Sequence, residues 1–418
     1  MMKLNKNSKE LILFFTKNRH INKVTQTKQT ENILVDIYND ICEAYHYSKK
    51  LRKEHFNITT KKISNVSQIK RPKFFTSNSF PEEVRNHIDN KVVNEITYQF
   101  YIFERNIKIH FMVEDENIEN KMSIYNTYVN RMVMWLYILN QYASKECSNT
   151  LDVFLYFTSL KKKLPGSNIE ILNQIHVNTA FTTTCPRDSE IVVFRKEEWF
   201  RAFVHETMHN FGLDFSNMNN TDVNTCILNI FKVKSDVNLY ESYTEFWAEI
   251  INALFCSFFM LKDKTNVDDF LTNSIFFINF ERTFSFFQLV KTLNFMGLQY
   301  SDLYSDTEQS RVLRENLYKE KTNVLAYYII KNVLIDNYQG FLNWCKKNNL
   351  SILQFKKTKT NQMEFCRFIE KNYKTKSVLN GIKETQHFLH NINTTNKKKE
   401  KNMDFILSNL RMSICELG

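Results

Sequence analysis

The sequence predicts an α+β protein, in which a small mixed sheet lobe packs on a central helix and is followed by a mainly helical lobe. Three observations lead there. Short β-like runs alternate with one long helical pattern between Arg105 and Phe194. From Arg195 onward the apolar spacing is almost continuously helical. Turn residues are scarce: 418 residues contain six Gly and four Pro, and no Pro follows Pro186. An all-β sandwich or barrel needs far more turn residues than this.

The elements follow from their periodicities. Residues 1–80 are rich in Lys, Asn, Ser and Thr and carry one convincing helical pattern, Ile33 to Leu51, so they are expected to be a partly helical amino-terminal extension. The α/β lobe is expected over 81–215, with strands at 107–113, 151–157, 175–183 and 191–194 and a helix at about 120–142. In that helix Met122, Tyr125, Tyr128, Met132, Trp135 and Leu139 recur at three- and four-residue intervals, a stripe that can cover one face of a sheet. The helical lobe is expected over 216–390, with segments at 238–261, 267–295, 307–336 and 341–373. A Lys-rich linker (391–402) and an amphipathic terminal helix (403–414) complete the reading of 391–418.

Composition narrows function. Hydrophobic residues make up 43% and aromatics 14%, which offsets chain entropy and excludes a disordered polymer. The charge of +11 is spread thinly, and neither Lys161–Lys163 nor Lys397–Lys399 is interleaved with the aromatics that single-stranded nucleic acid would stack on, so nucleic acid is not the expected partner. No apolar run approaches the roughly 18 residues a membrane span needs. Eight cysteines without a CxxC pair suggest reduced thiols in an intracellular, reducing compartment, with Cys185 as a buried thiol. No GxGxxG or GxxxxGK[ST] phosphate loop occurs.

Chemistry concentrates in Phe203-Val204-His205-Glu206-Thr207-Met208-His209-Asn210-Phe211-Gly212. This is HExxH: a four-residue spacing stacks two imidazoles on one helix face, where both can reach one zinc at about 2.0–2.1 Å. Glu206 lies beside that face without having to bind, the place for a general base that takes a proton from a metal-activated water. Phe200, Phe203, Val204, Thr207 and Phe211 form the opposite, core-facing arc. Position 215, where a third histidine of the HExxHxxGxxH pattern would fall, is Phe215. A carboxylate is therefore the next choice for the third ligand. Downstream, Glu241, Glu245 and Glu249 are four apart on a helix otherwise lined by Phe246, Trp247, Ile250, Ile251 and Leu254, and acids on a buried helix are expensive unless a cation meets them.

These residues resemble the gluzincin group of HExxH zinc metallopeptidases, in which a Glu on a later helix completes the metal site and a further acid often follows four residues on. The resemblance covers about residues 105–260 and implies a zincin-like fold. It makes His205, His209 and Glu245 the zinc ligands, with Glu241 as the alternative, Glu206 the catalytic base, and Glu249 an acid orienting a ligand imidazole. It makes Asn178-Thr179-Ala180-Phe181 the edge strand that binds substrate backbone through the positions of Asn178 and Ala180. A hydrogen-bond donor to the oxyanion is also implied; Tyr240, Tyr243, Tyr327, Tyr328 and His176 are the candidates. The implied activity is zinc-dependent endopeptidase cleavage of a peptide or protein substrate. The competing reading is a non-catalytic zincin-fold structural protein or a basic nucleic-acid-associated protein. The Lys/Asn/Ile-rich composition is similar to that of gluzincin-like proteins of large DNA viruses, which adds virion association to the expected locations.

Overall fold

The computed structural model describes residues 3–21, 23–54, 56–394 and 402–418. The Lys397–Lys399 run and most of the expected linker lie outside the described residues. The chain divides into two compact units, one of Val35–Lys161 with Thr179–Asp214, the other of Met1–Leu34, Lys162–Asn178 and Phe215–Gly418.

The first unit is built on one mixed sheet of six strands among the described residues: β1 (Asn57–Lys62), β2 (Asn94–Ile102), β3 (Arg105–Val113), β4 (Thr150–Phe157), β5 (Ala180–Thr182) and β6 (Asp188–Val193), in the order β1-β2-β3-β4-β6-β5. β2 and β3 form a hairpin that pairs Ile102 with Arg105, and Phe103 takes the left-handed φ of 52° that so tight a turn demands. β3, β4 and β6 run parallel, whereas β5 is an antiparallel edge pairing Ala180 with Val193. Parallel neighbours need a crossover, and helix α1 (Met122–Tyr142) supplies the one between β3 and β4. Its stripe meets the sheet as its spacing predicts: Tyr125 packs on Phe111 at 5.1 Å between ring centroids, and Tyr128 on Phe157 at 5.8 Å. Tyr98 of β2 donates its hydroxyl to Asn126 of α1 at 2.8 Å.

β6 leads through Glu198, at φ 57°, into helix α2 (Trp199–Asn210), every residue of which is buried. A helix buried all round must satisfy its polar side chains internally. Thr207 is one such group. Trp135 of α1 donates its indole N–H to the Thr207 hydroxyl at 2.7 Å, and that hydroxyl lies 2.8 Å from the carbonyls of Phe203 and Val204, its acceptors one turn back.

The second unit is helical. Its main elements are α3 (Leu239–Met260), α4 (Val267–Met296), α5 (Lys331–Asp336), α6 (Tyr338–Asn348), α7 (Lys359–Asn372) and α8 (Lys376–Thr394). A π-helical stretch, Leu325–Ile330, runs directly into α5. The expected helices at 307–336 and 341–373 are each divided. The first breaks after Leu317, and the second breaks between Asn348 and Lys359. Three expected strand residues, Ile175, His176 and Val177, belong instead to a short helical turn, Gln174–Val177, capped by the Asn173 side chain.

Replacing Thr207 by Val keeps the shape but strands the buried Trp135 N–H, so the variant is expected to lose about 1–3 kcal/mol of unfolding free energy. Urea denaturation reads this directly. An unchanged midpoint would mean the indole finds another acceptor.

Candidate metal-binding helix and acidic helix

Within the first unit, α2 presents His205 and His209 with their Nε2 atoms 3.1 Å apart. Two ligands of a tetrahedral zinc at bonds of about 2.0–2.1 Å stand roughly 3.3 Å apart, so the pair has the separation one ion requires. Both imidazoles and Glu206 are only 5–8% exposed. His209 is held from behind: its Nδ1 contacts Oδ2 of Asp214, a carboxylate with no exposed surface. That contact fixes which ring nitrogen carries the proton and leaves Nε2 with its lone pair outward, the arrangement in which an imidazole binds a cation.

Asp214 reaches back because the helix ends in a Schellman turn. Leu213 N–H donates to Met208 O and Gly212 N–H to His209 O, both at 2.9 Å, with Gly212 at φ 68°. A Cβ at Gly212 would also sit 3.3 Å from Cys147 Sγ. Conformation and space therefore both require glycine here. No period or motif points to Asp214; its only signal in the sequence is a glycine at the end of α2 with an acid two residues beyond. Asn210, beside His209, is tied down as well. Ser148 donates to its carbonyl at 3.1 Å, and the Asn210 amide donates to Thr182 Oγ1 of β5 at 3.0 Å.

In the second unit, the acids lie along α3 as their spacing predicts. Glu245 is 2% exposed and Glu249 fully buried, while Glu241, on the first turn, is half-buried. Their partners differ. Glu249 accepts from Lys331 Nζ at 2.5 Å, so a lysine of α5 meets the charge of that acid. Glu241 faces the Tyr327 hydroxyl at 3.4 Å. Tyr243 is fully buried; its hydroxyl donates to Leu353 O at 2.9 Å and accepts from Asn349 at 2.8 Å. Tyr328 donates to Leu410 O at 2.7 Å. Tyr240 is half-buried near Phe215, and Phe215 itself packs on Phe355 at 4.4 Å, a core position in this unit.

The remaining candidates are placed as follows. Ala180 begins β5 and is 6% exposed. Asn178 precedes the strand, and its side chain accepts from Thr322 at 2.7 Å. His176 uses Nδ1 to accept the Asn173 N–H at 3.3 Å. The expectation of eight reduced thiols changes: Cys147 is bonded to Cys185 and Cys226 to Cys366. No helix among the described residues is long and apolar enough to cross a membrane.

Comparison with known proteins finds no matching family model, no matching curated protein and no matching solved structure.

Removing one partner of a buried ion pair leaves the other charge stranded, so Glu249→Ala is expected to cost about 3–5 kcal/mol. The double change Glu249→Leu with Lys331→Met should recover most of it. Both are read by denaturant unfolding of the zinc-free chain. A single variant as stable as the parent would return Glu249 to consideration as an acid that acts only when metal is bound.

Proposed function

We propose that this protein is a zinc-dependent peptidase of gluzincin type with a zincin-like α/β lobe. The observation that carries the reading is the His205 and His209 pair, 3.1 Å between Nε2 atoms, with Asp214 behind His209. We propose His205, His209 and Glu241 as the zinc ligands, with Glu245 as the alternative to Glu241. Glu241 is preferred on two grounds. It sits half-buried on the first turn of α3 beside a tyrosine hydroxyl, whereas Glu245 is a turn deeper at 2% exposure. A catalytic ligand must border space that a substrate can enter.

Zinc bound there would act as a Lewis acid and lower the pKa of a water toward about 7. The chain's own residues do the rest. Glu206, between the two histidines on α2, accepts the proton of the attacking water at its carboxylate and passes it to the leaving amine. Tyr327 is the donor we propose for the oxyanion, because the hydroxyls of Tyr243 and Tyr328 are committed to backbone carbonyls. β5 is an edge strand and can take an extended substrate backbone as a further antiparallel strand.

Metal analysis of the purified chain should find one equivalent of zinc, lost in His209→Ala; a full equivalent retained by that variant places the site elsewhere. Glu206→Gln should keep zinc and lower cleavage of a denatured protein by a hundredfold to ten-thousandfold, roughly the worth of a general base. Unchanged cleavage removes Glu206 from the reaction. Between the acids, Glu241→Ala should abolish tight zinc binding and Glu245→Ala should weaken it less. The reverse order moves the ligand one turn along α3.

A further inference from the structure

We propose that the Cys147–Cys185 disulfide is a redox site that governs the metal helix: while it is intact it clamps the turn carrying Asp214 to His209, and reducing it releases that turn. The inference rests on the zinc reading above for its functional consequence, but its structural half stands on the geometry of the first unit alone.

The two sulfurs belong to loops that both end on the last turn of α2. On one side, Cys185 N–H donates to the carbonyl of His209 at 3.3 Å, the same carbonyl that closes the Gly212 turn. On the other, Ser148, next to Cys147, donates to the carbonyl of Asn210. Ser148 N–H also reaches Pro186 O at 2.7 Å, so the two loops are joined by a hydrogen bond flanking the covalent one. Both loops are held in a conformation side chains resist. Cys185 has φ 48° and Ser148 φ 56°, each in the left-handed region that a Cβ disfavours. The crosslink holds both there. Arg105, 7% exposed, lies against the same structure. Its guanidinium donates to Cys147 O and Ser144 O and stacks on Phe211, the residue between Asn210 and Gly212.

Gly212 is where the clamp meets the turn. The space a side chain would fill there is taken by Cys147 Sγ at 3.3 Å and Cys185 Sγ at 3.4 Å. When the bond is cut, two sulfurs in covalent contact become two thiols in van der Waals contact, and they must move apart. The backbone of Gly212 faces the sulfurs across the place a side chain would fill, so when they part and Cys185 and Ser148 leave the left-handed region, the Schellman turn shifts. Asp214 then leaves His209 Nδ1. Losing a carboxylate behind a ligand imidazole typically weakens metal binding by about 10- to 100-fold.

The chemistry is thiol–disulfide exchange with a dithiol reductant. Its thiolate attacks Cys185 Sγ, the half-buried sulfur, breaking the sulfur–sulfur bond and expelling Cys147 as thiolate. The reductant's second thiol then attacks the mixed disulfide. Cys147 and Cys185 end as thiols carrying the two electrons and two protons that the dithiol has lost. Re-oxidation reverses each step.

Two measurements on the full chain test this, and a water-soluble phosphine serves as the reductant. In the zinc-free protein, hydrogen exchange at the amides of Gly212 and Leu213, whose bonds define the turn, should accelerate by about tenfold or more on reduction. The double variant Cys147→Ser, Cys185→Ser should exchange fast with or without phosphine. The variant Cys226→Ser, Cys366→Ser should respond as the parent does. Equal exchange in both redox states overturns the proposal. In the second measurement, zinc affinity by chelator competition should fall by about 10- to 100-fold on reduction of the parent. Unchanged affinity overturns the coupling to metal. A chain that binds no zinc in either state while its Gly212 and Leu213 amides still respond sinks the zinc reading and leaves the redox clamp standing.

Discussion

The need to satisfy polar groups on a helix that has no solvent-facing side governs the first unit. α2 is buried along its whole length, yet within one turn and a half it carries two imidazoles, a carboxylate, a hydroxyl and an amide. Each such group left without a partner costs roughly 1–3 kcal/mol or more. The surrounding elements are arranged to supply those partners. α1 brings Trp135 to Thr207, the loop before β4 brings Ser148 to Asn210, β5 brings Thr182 to Asn210, and the helix's own terminal turn brings Asp214 to His209. What these partners hold in place is a pair of imidazoles with their Nε2 atoms 3.1 Å apart.

The second unit answers the same constraint in another way. Its long helices bury charged groups and then use the end of the chain to meet them. Glu281 of α4 is 1% exposed and accepts the backbone amides of Ile414 and Cys415, both at 3.0 Å. Burial holds its carboxyl above the usual carboxylate range, and the bonds from the Ser413 hydroxyl and those amides offset only part of that rise. Lys291, on the same helix, donates to the carbonyls of Ile406 and Asn409, and burial drives its pKa well below the ordinary lysine value. Tyr328 and Asn252 add bonds to Leu410 O and Cys415 O, each at 2.7 Å. A segment with only isolated β-bridges, at Asn409 and Leu417, is thus held mainly by side chains from helices, which is why residues 409–415 are buried although they form almost no regular structure.

Much of this was legible in the sequence, and the parts that were not share a cause. Alternation and helical spacing locate β3, β4, β6 and α1, because burial on one face imprints a period. HExxH is visible because a metal pair needs a fixed spacing on a helix. β1 is not visible: all six of its residues are exposed, so burial leaves no pattern in Asn57–Lys62. The division of 307–336 is equally hidden, because Leu317 and Tyr318 continue an apolar pattern while the chain changes direction. Asp214 escapes notice for a different reason. It works through a turn and not a period, and only the left-handed Gly212 brings it back over a residue five positions earlier.

The cysteines mark the limit of local reading most sharply. Spacing suggests eight isolated thiols, since no two lie close in sequence. Yet the bonded pairs are 38 and 140 residues apart in the chain. Such pairings are consequences of tertiary structure. Cys147 and Cys185 meet because β4 and β6 are parallel neighbours whose preceding loops emerge at the same end of the sheet, next to the point where α2 stops. The scarcity of glycine sharpens that point. In a chain with only six, one stands where α2 ends, and the two sulfurs border the place its side chain would fill. The residue that lets the chain turn back toward His209 is therefore also the one whose missing side chain makes room for the crosslink, so turn and crosslink meet at a single position.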